Sequence, residues 1–281
     1  MLDSKYQKFY DEIVKKIKKE KIFTDKLHTL AYGTDASFYR LIPKIVIKTD
    51  NAKEVQDIIE LSNSMNLSIT FRAAGTSLSG QAISDSILIV TSRNFSNFKI
   101  APDASFISLQ PALTGAQVNG LLAKYSKKIG PDPASINAAM IGGIAANNAS
   151  GMCCGISQNS YKTLKSMKLI FADGAKLDTG CQESKDAFRK THGDFLKELK
   201  NFSNDTKNNE ELRAKIERKF KIKNTCGYSL NALIDFEDEF EILEHLIIGS
   251  EGTLAFIEEI TYYTVEDLKD KASSLIYFKD I

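Results

Sequence analysis

Apolar residues recur every three or four positions between Lys5 and Lys19, at Tyr6, Phe9, Tyr10, Ile13, Val14 and Ile17. That spacing predicts a helix. After Pro43 the pattern changes to the short unbroken run Ile45-Val46-Ile47, which reads as a buried strand. Asp50 or Asn51 can cap a following helix with Val55, Ile58, Ile59 and Leu61 on one face. Strands are predicted over 67–71 and 87–90, and strand–helix–strand spacing of this kind implies a right-handed parallel crossover. Further strands read at 98–100 and 106–109, and Thr114 can cap a helix through Leu122. A short helix reads at 141–147. Residues 168–171 and 175–177 flank the turn Asp173-Gly174, the signature of a hairpin. Two helical stretches lie within 185–220, with a polar joint at Asn204-Asp205 and Asn208-Asn209. A last helix over 241–248 leads to a strand over 254–263. Residues 272–278 read as one more strand, close to the end of the sequence, and predict that a further domain starts there.

Two glycine-rich segments interrupt this pattern. The first is Phe71-Arg72-Ala73-Ala74-Gly75-Thr76-Ser77-Leu78-Ser79-Gly80-Gln81. The second is Gly130-Pro131-Asp132-Pro133-Ala134-Ser135, which runs on to Ile141-Gly142-Gly143-Ile144-Ala145-Ala146-Asn147-Asn148-Ala149-Ser150-Gly151. Successive main-chain N–H groups in such turns form concave anion sites. Two of them in one chain suggest a long diphosphate-bearing ligand held along its length.

Composition narrows the choice. The 281 residues are 43% apolar and 26% charged with a formal net charge of +1, so a nucleic-acid partner is disfavoured for want of a basic face. The run Lys15-Lys16-Ile17-Lys18-Lys19 sits among Asp11, Glu12 and Glu20 and reads as a solvated helix face. No secretory signal and no bilayer-spanning apolar run is present. The expected location is cytoplasmic, or peripheral at the inner face of the membrane. Cys153, Cys154, Cys181 and Cys226 form no C-x-x-C pair, so they carry no zinc or iron–sulfur signature, and no metal site is expected. Cys153-Cys154 reads as tight packing between glycines. His28, His192 and His245 lack the spacing of a metal pair or a triad. The G-x-G-x-x-G, G-x-x-x-x-G-K-[ST] and G-x-S-x-G signatures are also missing.

In order along the chain, these segments resemble the FAD-binding, PCMH-type domain of the vanillyl-alcohol oxidase family. Within it the likeness is to bacterial FAD-linked D-lactate and D-2-hydroxyacid dehydrogenases. Tyr32-Gly33-Thr34-Asp35-Ala36-Ser37 resembles the family's lead-in, and 72–81 its pyrophosphate loop. Residues 131–135 and 141–151 resemble the stretch beneath the flavin and ribityl chain. Lys223-Asn224-Thr225-Cys226-Gly227-Tyr228, then Leu230-Asn231-Ala232-Leu233, resembles a motif of the D-lactate branch. Gly249-Ser250-Glu251-Gly252-Thr253 resembles the closing flavin contact.

The resemblance implies an α+β, PCMH-type fold of two α/β subdomains with FAD between them. It divides the chain into a helical lead-in (1–40), an FAD-binding domain (41–266, subdomains about 41–100 and 101–266) and the start of a cap domain (267–281). In the first loop the implied cofactor contacts are Ala74, Gly75, Thr76, Ser77, Leu78, Gly80 and Gln81, with Arg72 either pinning the loop or approaching a phosphate. In the second they are Pro131, Asp132, Ser135, Ile141, Gly142, Gly143 and Gly151, with Asn147 or Asn148 at the isoalloxazine edge. Gly252 and Leu254 close the site, and Glu251 is either a cofactor contact or a helix–strand cap. Relatives that bind flavin covalently use a histidine at the place of Thr76, or a cysteine near Asp132, so non-covalent FAD is expected. The implied reaction is oxidation of a small 2-hydroxyacid, D-lactate first, with electrons passing to a quinone, a cytochrome or an iron–sulfur domain. The resemblance puts the catalytic base and carboxylate-binding groups in the cap, and any iron–sulfur centre in parts beyond these residues. Two rivals are an NADPH-dependent reductase of cell-wall precursor synthesis, and a scaffold that has lost its flavin.

Overall fold

The computed structural model describes residues 2–225, 227–270, 272 and 274–280. Helix α1 (Ser4–Ile13) starts where the Asp3 carboxylate accepts from the Lys5 N–H, and it buries Phe9 and Ile13. It ends six residues before the predicted limit at Lys19. The chain instead tightens into turns, with the Lys15 and Lys16 amides reaching back three residues. Ile17 is still buried, so the apolar period outlasts the helix. The reason is a change of direction, since strand β1 (Ile22–Phe23) must run antiparallel to strand β2 (Ile45–Thr49). Neither β1 nor helix α2 (Lys26–Ala31) was expected.

Helix α3 (Ala52–Ser64) follows β2 and is capped by Asn51, whose side-chain oxygen accepts from the Glu54 N–H at 3.0 Å. Asp50, the other candidate cap, pairs with Lys21. Strands β3 (Ile69–Arg72) and β4 (Ile87–Thr91) complete a sheet ordered β1-β2-β4-β3, with β2 and β3 both parallel to β4. The parallel pairing is the one the spacing predicted. Phe9, Ile13 and Ile17 pack with Ile45, Ile47, Ile58, Ile87 and Ile89 into a core on this sheet.

The second sheet holds β5 (Phe98–Ile100), β6 (Phe106–Leu109), β7 (Lys127–Ile129), β8 (Leu164–Phe171), β9 (Lys176–Asp178) and β10 (Ala255–Glu266). Its order is β5-β6-β10-β8-β9, and β7 pairs with the far end of β10. Every pairing is antiparallel. The predicted hairpin is β8–β9, in register Leu169↔Leu177. Helices α4 (Gly115–Leu122), α5 (Ile141–Asn147), α6 (Ser160–Thr163), α7 (Gln182–Asn208), α8 (Glu210–Phe220), α9 (Ala232–Asp235) and α10 (Glu239–Ile247) accompany this sheet. Ile107, Leu109, Ile144, Leu169, Phe240, Ile260 and Tyr262 are fully buried among them. Val55 and Ile59 of α3 meet Ile170 of β8 and Phe256 of β10 in a further cluster, which joins the two sheets.

Thr114 caps α4 through a reciprocal pair. Its hydroxyl accepts from the Gln117 N–H at 3.2 Å, and the Gln117 side-chain oxygen accepts from the Thr114 N–H at 2.8 Å. Thr114→Ala is expected to lower the unfolding free energy by about 1 kcal/mol. Urea titration checks this; an unchanged midpoint would contradict it.

The strand expected over 272–278 is a correction. Its described residues form no strand, and Leu275, Ile276, Tyr277 and Phe278 are all exposed. An apolar run becomes a strand only where a neighbour completes its hydrogen-bond ladder, and none lies alongside. Ser273, Cys226 of the 223–228 motif and Met1 lie outside the described residues.

Candidate functional site

A cleft of about 630 Å³ opens between the ends of β3 and β4 and the start of β10. Both glycine-rich segments line it, with α5 forming one wall and residues 250–252 another. The first segment leaves β3 and turns at Gly75, where φ is +74°. Four consecutive backbone N–H groups follow, from Gly75, Thr76, Ser77 and Leu78. Among the described residues, none of them donates to a protein acceptor. Four free donors in a row beside a cleft form a concave polar surface, or cradle, of the kind that accepts an anion.

The cradle has a built support. Arg72 sends one guanidinium nitrogen, Nη1, to the Thr34 carbonyl at 2.7 Å and the Ala82 carbonyl at 3.2 Å. Burial pushes the guanidinium pKa down from its ordinary value, opposed by the Asp35 carboxylate. Of the two roles open for Arg72, these carbonyl bonds carry the pinning one. Ser77 Oγ accepts from the Ser79 N–H at 3.1 Å and donates to Gln81 Oε1, which closes the loop on itself.

Across the cleft, Gly142 and Gly143 open α5 and Asn147 ends it. Asn147 Nδ2 donates to Glu251 Oε1 at 2.6 Å. Burial pushes the Glu251 carboxyl up from its ordinary range, while the Asn147 bond opposes the shift. The Glu251 N–H donates to the Ala146 carbonyl at 2.9 Å. Glu251 therefore ties the turn before β10 to α5 and also faces the cleft. Beside it Ser250 is 2% exposed, and its hydroxyl has no partner among the described residues.

Of the residues expected at the cofactor, Arg72, Ala74, Gly75, Thr76, Ser77, Leu78, Gln81, Ser135, Gly142, Gly143, Asn147, Glu251 and Gly252 line the cleft. Gly80, Pro131, Asp132, Ile141, Asn148, Gly151 and Leu254 do not. Their contacts within the protein are these. Gly80 packs against the Tyr39 ring. Pro131 and Ile141 are buried, Ile141 in the core of the second sheet. Asn148 ends α5 at φ +51°, and its side chain accepts from the Tyr161 N–H at 3.3 Å. Leu254 is partly exposed just before β10. Asp132 accepts from the Gly151 N–H at 2.8 Å and the Cys153 N–H at 3.0 Å. Burial works to raise its pKa, and the bonds from Cys154, Gly151 and Cys153 outweigh it, so the carboxyl lies below its usual range. A Cβ on Gly151 would lie 2.7 Å from Asp132 Oδ1 and closer still to the Asp132 carbonyl. This glycine serves the approach of two chain segments.

The cleft wall also holds residues that sequence reasoning did not assign to it. Ala36, Ser250, Lys223 and Thr225 belong to motifs already singled out, and that membership was the available signal. The Lys223 ammonium donates to the Ser150 carbonyl at the rim. Phe71, Pro111, Met140, Phe256 and Ile257 also line the wall, and as apolar residues they carry no signal that separates wall from core.

None of the three histidines lines the cleft. His28 stacks on Phe23 and pairs with Asp25, and His192 stacks on Phe188 and pairs with Asp173. His245 is buried against Phe236 and Tyr161. Cys153, Cys154 and Cys181 are free thiols. Among the described residues no helix is long and apolar enough to cross a membrane.

A mixed sheet and an antiparallel sheet that share a glycine-lined cleft give the chain a fold similar to that of PCMH-type FAD-binding flavoenzymes. The family model described as FAD binding domain matches residues 43–180 of this chain. A D-2-hydroxyglutarate dehydrogenase of Haemophilus influenzae is 26% identical over 247 residues, covering 85% of this chain and 24% of its own length. A D-lactate dehydrogenase of Archaeoglobus fulgidus is 23% identical over 239 residues, covering 83% of this chain and 41% of its own length. The chain thus spans between a quarter and two-fifths of these relatives. Among solved structures, an alkyldihydroxyacetonephosphate synthase superposes with a TM-score of 0.62 over 93% of this chain and 41% of that one, at 16% identity.

Proposed function

We propose that this chain is the FAD-binding part of a flavin-linked D-2-hydroxyacid dehydrogenase, with D-lactate and D-2-hydroxyglutarate as the substrates to compare first. The observation that carries the cofactor assignment is the row of four unpartnered amides, Gly75 to Leu78, facing Gly142 and Gly143 across one cleft. The names of the relatives support the substrate class.

The residues present fit the group. The four amides and the Arg72 cation beneath them oppose the two negative charges of a diphosphate. The buried Ser250 hydroxyl supplies a donor that the protein itself does not use. Asn147 and Glu251 present a polar edge at the other end of α5. Bound FAD would supply the acceptor, flavin N5, for hydride from the substrate C2. The chain's part is to hold and orient it. The substrate's carboxylate and hydroxyl proton are assigned to a cap domain, consistent with a cleft wall that holds no histidine.

Thr76 and Asp132 form no bond to a flavin carbon, so attachment is non-covalent in this proposal. Purified protein mixed with FAD and desalted should keep the visible absorption of bound flavin. Acid precipitation should then leave the colour in the supernatant. A yellow pellet would overturn the non-covalent reading, and loss of all flavin from the full-length protein would overturn the cofactor assignment. D-lactate and D-2-hydroxyglutarate, added anaerobically in turn, rank the substrates by the rate of bleaching. Rapid bleaching by NADPH alone would favour a reductase.

A further inference from the structure

The family match begins at residue 43, yet the cleft is held from a segment before it. Residues 32–42 form a small flap, closed by the Leu41 N–H donating to the Gly33 carbonyl at 3.1 Å and by a bridge between Thr34 and Arg40. The flap reaches the cradle at several points. The Ala36 N–H donates to the Gly75 carbonyl at 3.1 Å, and Ala36 itself lines the cleft. Asp35 Oδ2 accepts from the Ala82 N–H at 3.4 Å, while Oδ1 accepts from the Ser37 N–H at 2.8 Å. The Tyr39 ring covers Gly80. Between flap and cradle lies the Arg72 guanidinium. Its Nη1 bonds to Thr34 on the flap and to Ala82 at the end of the cradle, with Tyr32 at a longer 3.4 Å. Its Nη2 and Nε border Gly75 and have no protein partner among the described residues.

This arrangement answers a physical problem. Residues 73–82 belong to no helix or strand, so no ladder fixes their amides. A binding loop that must be ordered by its ligand loses affinity to that ordering, and one ordered beforehand does not. We propose that the flap 32–42 is part of the cofactor site, and that Arg72 and Asp35 are positioning residues that latch it to the cradle and preset the four amides for a diphosphate. The inference rests on the FAD reading above and goes beyond it, since it assigns a role to residues outside the matched family segment. Nη1 alone meets carbonyls on two segments, and a lysine ammonium placed there would lack the Nη2 and Nε donors that border Gly75.

The test compares ligands that share only parts of FAD. Isothermal titration of full-length protein with FAD, ADP and riboflavin would be run on the wild type, Arg72→Ala, Arg72→Lys and Asp35→Asn, with melting temperatures recorded for each. Arg72→Ala should weaken FAD and ADP by about tenfold, the scale of a lost charge-assisted contact. Riboflavin, which carries no diphosphate, should shift by less than about twofold. Arg72→Lys should recover only part of the loss, and Asp35→Asn should weaken FAD and ADP by about threefold. Equal losses for all three ligands would show a general structural role and overturn the latch. Unchanged FAD and ADP affinity in both Arg72→Ala and Asp35→Asn would also overturn it and leave the cofactor reading standing. If Arg72→Ala does not fold, Asp35→Asn decides. A folded wild type that binds neither FAD nor ADP would instead refute the cofactor reading.

Discussion

Gly75→Ala is expected to lower affinity for FAD by about a hundredfold. Two independent effects add. Gly75 sits at φ +74°, where a side chain is strained, at about 1 kcal/mol or more. A Cβ there would also lie 2.7 Å from Arg72 Cζ and closer still to Nη2. Relief requires the guanidinium to leave its carbonyl partners, which adds about 1–3 kcal/mol. Together these reach about 3 kcal/mol, or two decades in affinity. Quenching of FAD fluorescence on binding measures it. Gly120 is the control, because it lies in α4 with open space around it, and Gly120→Ala should bind FAD as the wild type does. A Gly75→Ala protein within threefold of wild type would show that this turn does not set the cradle.

The second large effect is on acid stability, away from the cleft. Glu244 and His245 are neighbours on α10, both more than nine-tenths buried, with Glu244 Oε1 3.9 Å from His245 Nδ1. Burial pushes the Glu244 carboxyl up to about 7, against the pull of Thr179 and Lys185. Burial pushes the His245 imidazole down to about 4, although its Nδ1 donates to the Glu241 carbonyl at 2.8 Å. The two act in opposite directions. The unfolded chain takes up a proton on His245 near its ordinary 6.5 and the folded chain only near 4, so this group removes stability as pH falls through that window. Glu244 binds its proton more tightly when folded, so its contribution is present below about 4.5 and lost as pH rises to about 7. Between about 4.5 and 6.5 the slopes cancel. Glu244→Gln removes one of them. The variant should lose about 3 kcal/mol relative to wild type on going from pH 6.5 to 4. Urea midpoints across that range test the difference, and parallel pH profiles would refute it.

Much of the architecture was legible because its signals are local. Ile45-Val46-Ile47, the Asn51 cap, the Thr114 cap and the Asp173-Gly174 turn each specify their own conformation. What escaped prediction depends on partners far away in sequence. Lys127–Ile129 is a strand only because the end of β10 lies beside it, and its two lysines give no strand pattern. Ile22–Phe23 is two residues long and exists through β2. Conversely, 272–278 has a strand's composition and no neighbour. The site divides the same way. Glycine-rich sequence marked where backbone comes close to something, without saying to what. At Gly75 the neighbour is the Arg72 guanidinium and at Gly143 it is Ala73, and both glycines also line the cleft. At Gly151 it is Asp132, and at Gly80 it is Tyr39.

Strand β10 has one further consequence, for the order in which the protein is assembled. It is the last strand among the described residues, yet β6, β8 and β7 all hydrogen-bond to it. The first sheet is complete in sequence by Thr91, so all its strands are present while the ribosome is still at work on the rest. Strands β6, β7 and β8 must wait with open edges until residues 255–266 emerge. During that interval the cleft lacks one of its walls, because Ser250, Glu251 and Phe256 are made with or just before that segment. The cleft is therefore complete only once residues 250–257 are in place, and until then the strands that β10 pairs present open edges of the kind prone to mispairing.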